Sequence, residues 1–111
     1  LKETRGLLGP AQFAAMKPGM ILINTSRSEL VDEPSLIAAL REKRIAGAGI
    51  DVYPQEPVVL DHPLLSLDNV ITTPHTAGHA FEGWARRCRF AWENIQRVAN
   101  GEKPTFVARL E

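Results

Sequence analysis

Three short apolar runs constrain this chain more than anything else in it: Met20-Ile21-Leu22-Ile23, Ile45-Ala46-Gly47-Ala48-Gly49-Ile50 and Val70-Ile71-Thr72. They carry no charges and many β-branched residues, the composition of strands buried on both faces in a parallel sheet. Strands are expected over 20–24, 45–53 and 69–73. Between the first two, Asp32 has the type of an N-cap and Pro34 suits a first helical turn. Leu36, Ile37 and Leu40 then share a face, and Arg41, Lys43 and Arg44 crowd the carboxyl end. Strand, helix, strand, loop, strand is the grammar of an α/β fold. Open α/β sheets receive ligands at the carboxyl ends of their strands, where Arg27, Asp51, Glu56 and His75 all fall.

The flanking segments read more simply. A short helix is expected from Pro10 to the Pro18-Gly19 break. Pro54 and Pro57 end the second strand, and a helical turn is expected at His62-Pro63-Leu64-Leu65. The longest helix runs from Phe81 to Asn100 with Gly101 as its stop. Its apolar side holds Phe81, Trp84, Ala85, Cys88, Ala91, Trp92, Ile95, Val98 and Ala99. Phe90 falls on the charged side, so it is expected to face water or a partner.

At 111 residues and 44% hydrophobic the chain can bury a modest core of its own. Thirteen basic residues balance thirteen acidic ones, which argues against a polyanion-binding surface. No apolar run reaches the length of a membrane span. Cys88 is the one cysteine, so no internal disulfide forms, and a reducing cytoplasm is the expected setting. Leu1 and the residues after it read as the interior of a longer sequence.

Each polar candidate also has a plain structural reading. Arg27 could pair with Glu29 or Asp32 on the surface, Asp51 could cap a neighbouring loop, His75 could cap a turn, and Glu56 could be solvated. His75 and His79 are four apart, but Pro74 and Gly78 interrupt any helix carrying both, so no metal site is expected.

Taken together, Asn24-Thr25-Ser26-Arg27, Leu30-Val31-Asp32-Glu33, Ala46-Gly47-Ala48-Gly49-Ile50-Asp51-Val52, Gln55-Glu56-Pro57, His62-Pro63-Leu64 and Thr73-Pro74-His75-Thr76-Ala77-Gly78 resemble the D-isomer-specific 2-hydroxyacid dehydrogenases. The resemblance runs over nearly the whole chain. It implies that residues 1–80 form the carboxyl-terminal half of an NAD(P)-binding, Rossmann-type doubly wound parallel sheet. Residues 81–111 are then a long carboxyl-terminal helix and tail that pack on a substrate domain outside this chain.

The resemblance further implies hydride transfer between a D-2-hydroxy acid and a 2-oxo acid. Arg27 would bind the substrate's carboxylate and carbonyl oxygen, His75 would be the acid/base, and Glu56 would hold the other imidazole nitrogen and favour the imidazolium. Asp51 would accept from the nicotinamide carboxamide, while Thr25, Ser26 and Gly78 would line the NAD or NADP. Substrates of the hydroxypyruvate, glyoxylate or phosphoglycerate kind are implied, with a homodimer as the assembly. Glutamate at 56 disfavours formate oxidation, since the formate branch has glutamine there. A non-catalytic dinucleotide sensor, as in corepressors of the same fold, is the alternative.

Two departures stand out. Ser28 replaces the glycine that usually follows the arginine, and no G-x-G-x-x-G is present. The isolated chain is accordingly expected to bind the dinucleotide poorly, to turn over little, and to associate through apolar surface left uncovered.

Overall fold

The computed structural model describes residues 2–107. The chain divides into two compact units, one ending at Ala77 and one beginning at Gly78.

In the first unit, strands β1 (Ile21–Asn24), β2 (Gly47–Ile50) and β3 (Val70–Thr72) form a parallel sheet in the order β1-β2-β3. Ile23 lies opposite Gly49, and Gly49 opposite Ile71. Helix α1 (Pro10–Ala15) starts on proline, and α2 (Glu33–Arg41) makes the crossover from β1 to β2. The Asp32 carboxylate caps α2 by accepting from the Ser35 backbone N–H at 3.1 Å. At the other end of the helix, the Leu40 carbonyl accepts from the Asn69 side chain at 3.2 Å, which ties α2 to the segment leading into β3.

The core gathers Phe13, Leu36, Ala39, Leu40, Ile45, Ala48, Ile50, Tyr53 and Leu64. The expected face of α2 shifts slightly: Ala39 is fully buried, whereas Ile37 packs only partly against the cluster. The turn expected near residue 62 is a 3-10 helix, Pro63–Ser66, capped by His62. His62 accepts the Leu64 N–H on Nδ1 and reaches Glu33 of α2 with Nε2 at 3.4 Å.

Among the described residues, only one face of the sheet is covered. Ile21, Ile23 and Ile71 alternate with the buried set and are 64, 71 and 75% exposed. This departs from the burial on both faces that uncharged parallel strands lead one to expect. Residues 6–8 add a strand-like pairing that the apolar pattern did not suggest. Gly6 and Leu8 donate to the carbonyls of Glu29 and Leu30, and Leu8 accepts from Asp32.

The second unit is built on α3 (Phe81–Ala99), which ends where Gly101 takes a φ of +76°. Its tail folds back along the helix: Thr105 N–H donates to Asn94 Oδ1 at 2.8 Å, and Asn94 returns a bond to the Thr105 carbonyl at 3.0 Å. That return sets Phe106 edge-on to Phe90 at 5.5 Å. Phe90 therefore has a neighbour in the chain's own tail. Phe81, Trp84, Trp92, Ile95 and Val98 stay well exposed.

Two glycines give a paired test. A Cβ at Gly47 would sit 2.7 Å from the Asn69 carbonyl oxygen, a backbone atom held in the β2–β3 ladder, whereas a Cβ at Gly83 meets nothing within 4 Å. Gly47→Ala is expected to destabilise the chain by about 1–3 kcal/mol. Gly83→Ala should stabilise α3 by about 0.4–1 kcal/mol. Urea titrations followed by circular dichroism measure both, and equal effects would contradict the β2–β3 packing.

Candidate active site

The site grows from the carboxyl ends of the three strands. At the end of β1, Asn24 is buried, and its side chain works in both directions. Oδ1 accepts the Ser26 N–H at 3.1 Å, while Nδ2 donates to the Arg27 carbonyl at 2.9 Å. This side-chain turn fixes the loop that carries Thr25, Ser26 and Arg27, all exposed. Arg27 donates from one guanidinium nitrogen to the Ser26 carbonyl at 2.7 Å. A 3-10 turn, Ser28–Leu30, follows directly, so Ser28 sits in a regular turn.

At the end of β2, Asp51 is 2% exposed and its backbone N–H donates to the Asn24 carbonyl at 3.0 Å. Its carboxylate serves the loop after β3. Oδ1 accepts the Thr73 hydroxyl at 2.5 Å and the Thr76 N–H at 2.9 Å, and Oδ2 accepts the Ala77 N–H at 2.9 Å. Asp51 thus caps a neighbouring loop, as its plain reading had it. Among the described residues Oδ2 accepts this one bond, and a carboxylate oxygen can accept two.

Five residues on, Glu56 accepts the Tyr53 N–H on Oε1 at 3.1 Å, and its Oε2 lies 2.7 Å from His75 Nδ1. With both oxygens engaged, the carboxylate has a fixed orientation. The Tyr53 hydroxyl reaches the carbonyls of Ile50 and Thr73 at 3.3 and 3.4 Å, spanning the ends of β2 and β3. His75 itself takes a φ of +55°, an unusual conformation for a residue with a side chain.

Arg27, Glu56 and His75 line one cleft of about 240 Å³, together with Ser28, Glu29 and Tyr53. Arg27 also lines a neighbouring cavity of about 510 Å³ with Lys2, Arg5 and Ser26. The first volume suits a small acid, and the guanidinium supplies planar donors for a carboxylate. Gly78 begins the second unit, where its carbonyl accepts from Arg87. Among the described residues, no three His, Cys, Asp or Glu side chains come together as a metal site.

Sequence reasoning singled out Arg27, Asp51, Glu56 and His75 but missed Asn24, Tyr53 and Thr73. Asn24 was legible, since an asparagine at a strand end two residues before a serine is a standard turn former. The bonds of Tyr53 and Thr73 depend on distant partners and had no local signal.

The electrostatics follow from these bonds. The Thr73 hydroxyl, more than any other neighbour, holds the Asp51 carboxyl below its ordinary range, with the Ala77 and Thr76 amides adding to it against the opposing effect of burial. The bond to His75, then the Tyr53 N–H, lowers Glu56 in the same way. Glu29 is also lowered, chiefly through its own backbone, with Arg5 and Arg27 contributing at longer range.

A carboxyl whose pKa falls on folding stabilises the folded state in its ionised form. That contribution is complete above the unfolded carboxylate range of about 4 and is lost as pH drops through the lower folded values. Hydrogen-exchange protection of the Thr76 and Ala77 amides should therefore hold steady from neutral pH down to about pH 4 and be lost only as the pH falls further, below the ordinary carboxylate range. Protection that fades while the pH is still between about 7 and 5 would contradict a cap made by a carboxylate held below its ordinary range.

The comparisons with known proteins come from three directions. Residues 1–77 match the family model described as "D-isomer specific 2-hydroxyacid dehydrogenase, NAD binding domain". A glyoxylate reductase of Korarchaeum cryptofilum is 44% identical over 110 residues, which is 99% of this chain and 33% of that protein. Among solved structures, a D-isomer specific 2-hydroxyacid dehydrogenase from Xanthobacter autotrophicus Py2, in complex with NADPH and MES, superposes with a TM-score of 0.85 at 38% identity. That match covers 98% of this chain and 44% of the other. D-lactate dehydrogenase with NAD+ from Lactobacillus jensenii gives 0.84 at 35% identity, covering 99% of this chain and 37% of the other. The chain spans about a third of the length of the glyoxylate reductase it matches.

Proposed function

Because this chain belongs to the D-isomer-specific 2-hydroxyacid dehydrogenases, we propose that it forms the nicotinamide-side part of an enzyme that interconverts a small 2-oxo acid and the corresponding D-2-hydroxy acid. The observation that carries this reading is the shared cleft: a guanidinium, an imidazole and the carboxylate bonded to that imidazole border one small space.

Each group has a chemical task there. Arg27 holds the substrate carboxylate and withdraws electron density from the adjacent carbonyl, orienting the acid before reaction. His75, with Nδ1 engaged by Glu56, has Nε2 free for the carbonyl oxygen; it gives a proton in reduction and takes one in oxidation. Glu56 balances the charge of the ring when it is protonated and, when the ring is neutral, keeps its proton on Nδ1.

A nicotinamide dinucleotide, when bound, supplies or accepts the hydride at the substrate's second carbon. The residues present fit that group. The backbone of Thr25 and Ser26 lies at a parallel-strand end, and Asp51 keeps one acceptor position suited to a carboxamide N–H. NAD and NADP are both in scope, since one structural relative holds NADPH and another NAD+.

Glyoxylate is the substrate of choice, following the reductase of Korarchaeum cryptofilum, with hydroxypyruvate second, following relatives named glyoxylate/hydroxypyruvate reductase B. Relatives with catalytic names favour an enzyme over a dinucleotide sensor. The single free cysteine supports a cytoplasmic setting, the exposed apolar residues of α3 support packing on the substrate domain, and a homodimer is the proposed assembly.

In the full-length protein that carries this chain, NADH oxidation with glyoxylate tests the reading. Arg27→Ala is expected to lower kcat/KM by about 10²–10³, and His75→Gln to lower kcat by about 10²–10⁴. Wild-type rates in both variants would exclude it.

A further inference from the structure

We propose that Asp51 is a positioning residue for His75, holding the imidazole against Glu56 through the backbone on both sides of it. The inference rests on the reading of His75 as the acid/base, and it gives Asp51 a task separate from contact with a dinucleotide.

The three donors that Asp51 collects bracket His75. The Thr73 hydroxyl lies two residues before it, and the Thr76 and Ala77 amides follow directly after it. His75 occupies the left-handed region at φ +55°, where a residue with a Cβ stays only if its surroundings insist. Its own N–H donates back to the Thr73 carbonyl at 3.1 Å, closing a tight reversal around Pro74. Without a carboxylate beneath it, two backbone N–H groups of this reversal lose their acceptor, and the loop gains every reason to relax. The ring would then leave the 2.7 Å contact with Glu56 Oε2.

Asp51 is anchored in turn. Its N–H donates to the carbonyl of Asn24, the residue whose side chain shapes the Arg27 loop. One continuous run of hydrogen bonds therefore joins the loop that holds the substrate carboxylate to the loop that delivers the proton. Asn24 fixes the first and Asp51 the second, so loss of Asp51 should disturb proton transfer more than acid binding. A displacement of about 1 Å at a reacting group is enough to cost about 10²-fold in rate.

The test combines a spectrum with kinetics in the full-length protein. In the cofactor-free state, ¹⁵N spectra of the His75 ring are expected to show a single Nδ1–H form bonded to Glu56 in the wild type. Asp51→Asn presents an amide N–H₂ or a single oxygen to donors that need two, so it should shift or broaden that signal. It should also lower kcat about 10- to 100-fold, with the KM for glyoxylate changed less than about threefold. Thr73→Val removes one donor and leaves the carboxylate in place; it should move both readouts in the same direction by less, and it serves if Asp51→Asn does not fold.

An unchanged ring signal in the variants overturns the proposal, as does a change confined to the KM for NADH, which would leave Asp51 a dinucleotide contact alone. Because the signal is read without turnover, it decides the positioning role even where His75→Gln retains activity. That separate outcome would remove the proposed reaction.

Discussion

Parallel pairing of β2 between β1 and β3 is the constraint on which everything else depends. Because the three strands run the same way, their carboxyl ends share one rim, and residues 27, 51, 56 and 75 meet there despite long separations in sequence. An antiparallel neighbour would send one of these groups to the far edge. Register matters as much as direction, since Ile23, Gly49 and Ile71 are level with one another. The residues just beyond them, Asn24, Asp51 and Thr73, can then bond across strand ends. A slip of one residue would turn Asp51 to the other face of the sheet and leave the 73–77 loop without its cap.

Two carboxylates divide the work at this rim. Asp51 is buried and committed to backbone and hydroxyl donors, so it behaves as part of the scaffold that sets a loop's path. Glu56 is more open, shares its oxygens between Tyr53 N–H and His75, and lines the cleft. Both are held ionised, Asp51 chiefly by a hydroxyl and Glu56 chiefly by the imidazole. The negative charge needed beside a protonating imidazole therefore comes from Glu56, while the charge on Asp51 is largely spent on its own donors.

Much of this was legible in the residues. The strands announced themselves as uncharged β-branched runs, the α2 cap as Asp32 ahead of Pro34, and the stop of α3 as Gly101, each because the deciding chemistry is local. The glycines of β2 read as places of close approach, and Gly47 indeed lies against a backbone carbonyl. What escaped depends on partners far along the chain. The Thr73 hydroxyl finds Asp51 twenty-two residues away, the pairing of residues 6–8 with 29–32 follows no apolar period, and Phe90 meets Phe106 only because Asn94 folds the tail back. The exposed row of Ile21, Ile23 and Ile71 is the converse case. Composition marked those strands for burial on both faces, yet the described residues cover one.

The most direct measurement is a crystal structure of the full-length protein with NADH and oxamate, an unreactive mimic of a 2-oxo acid. Oxamate's carboxylate on the Arg27 guanidinium and its carbonyl oxygen within hydrogen-bonding distance of His75 Nε2, with Nδ1 still on Glu56, is the result expected. An oxamate bound away from Arg27, or a His75 ring turned from both the ligand and Glu56, would contradict the assignment of this cleft as the reaction centre.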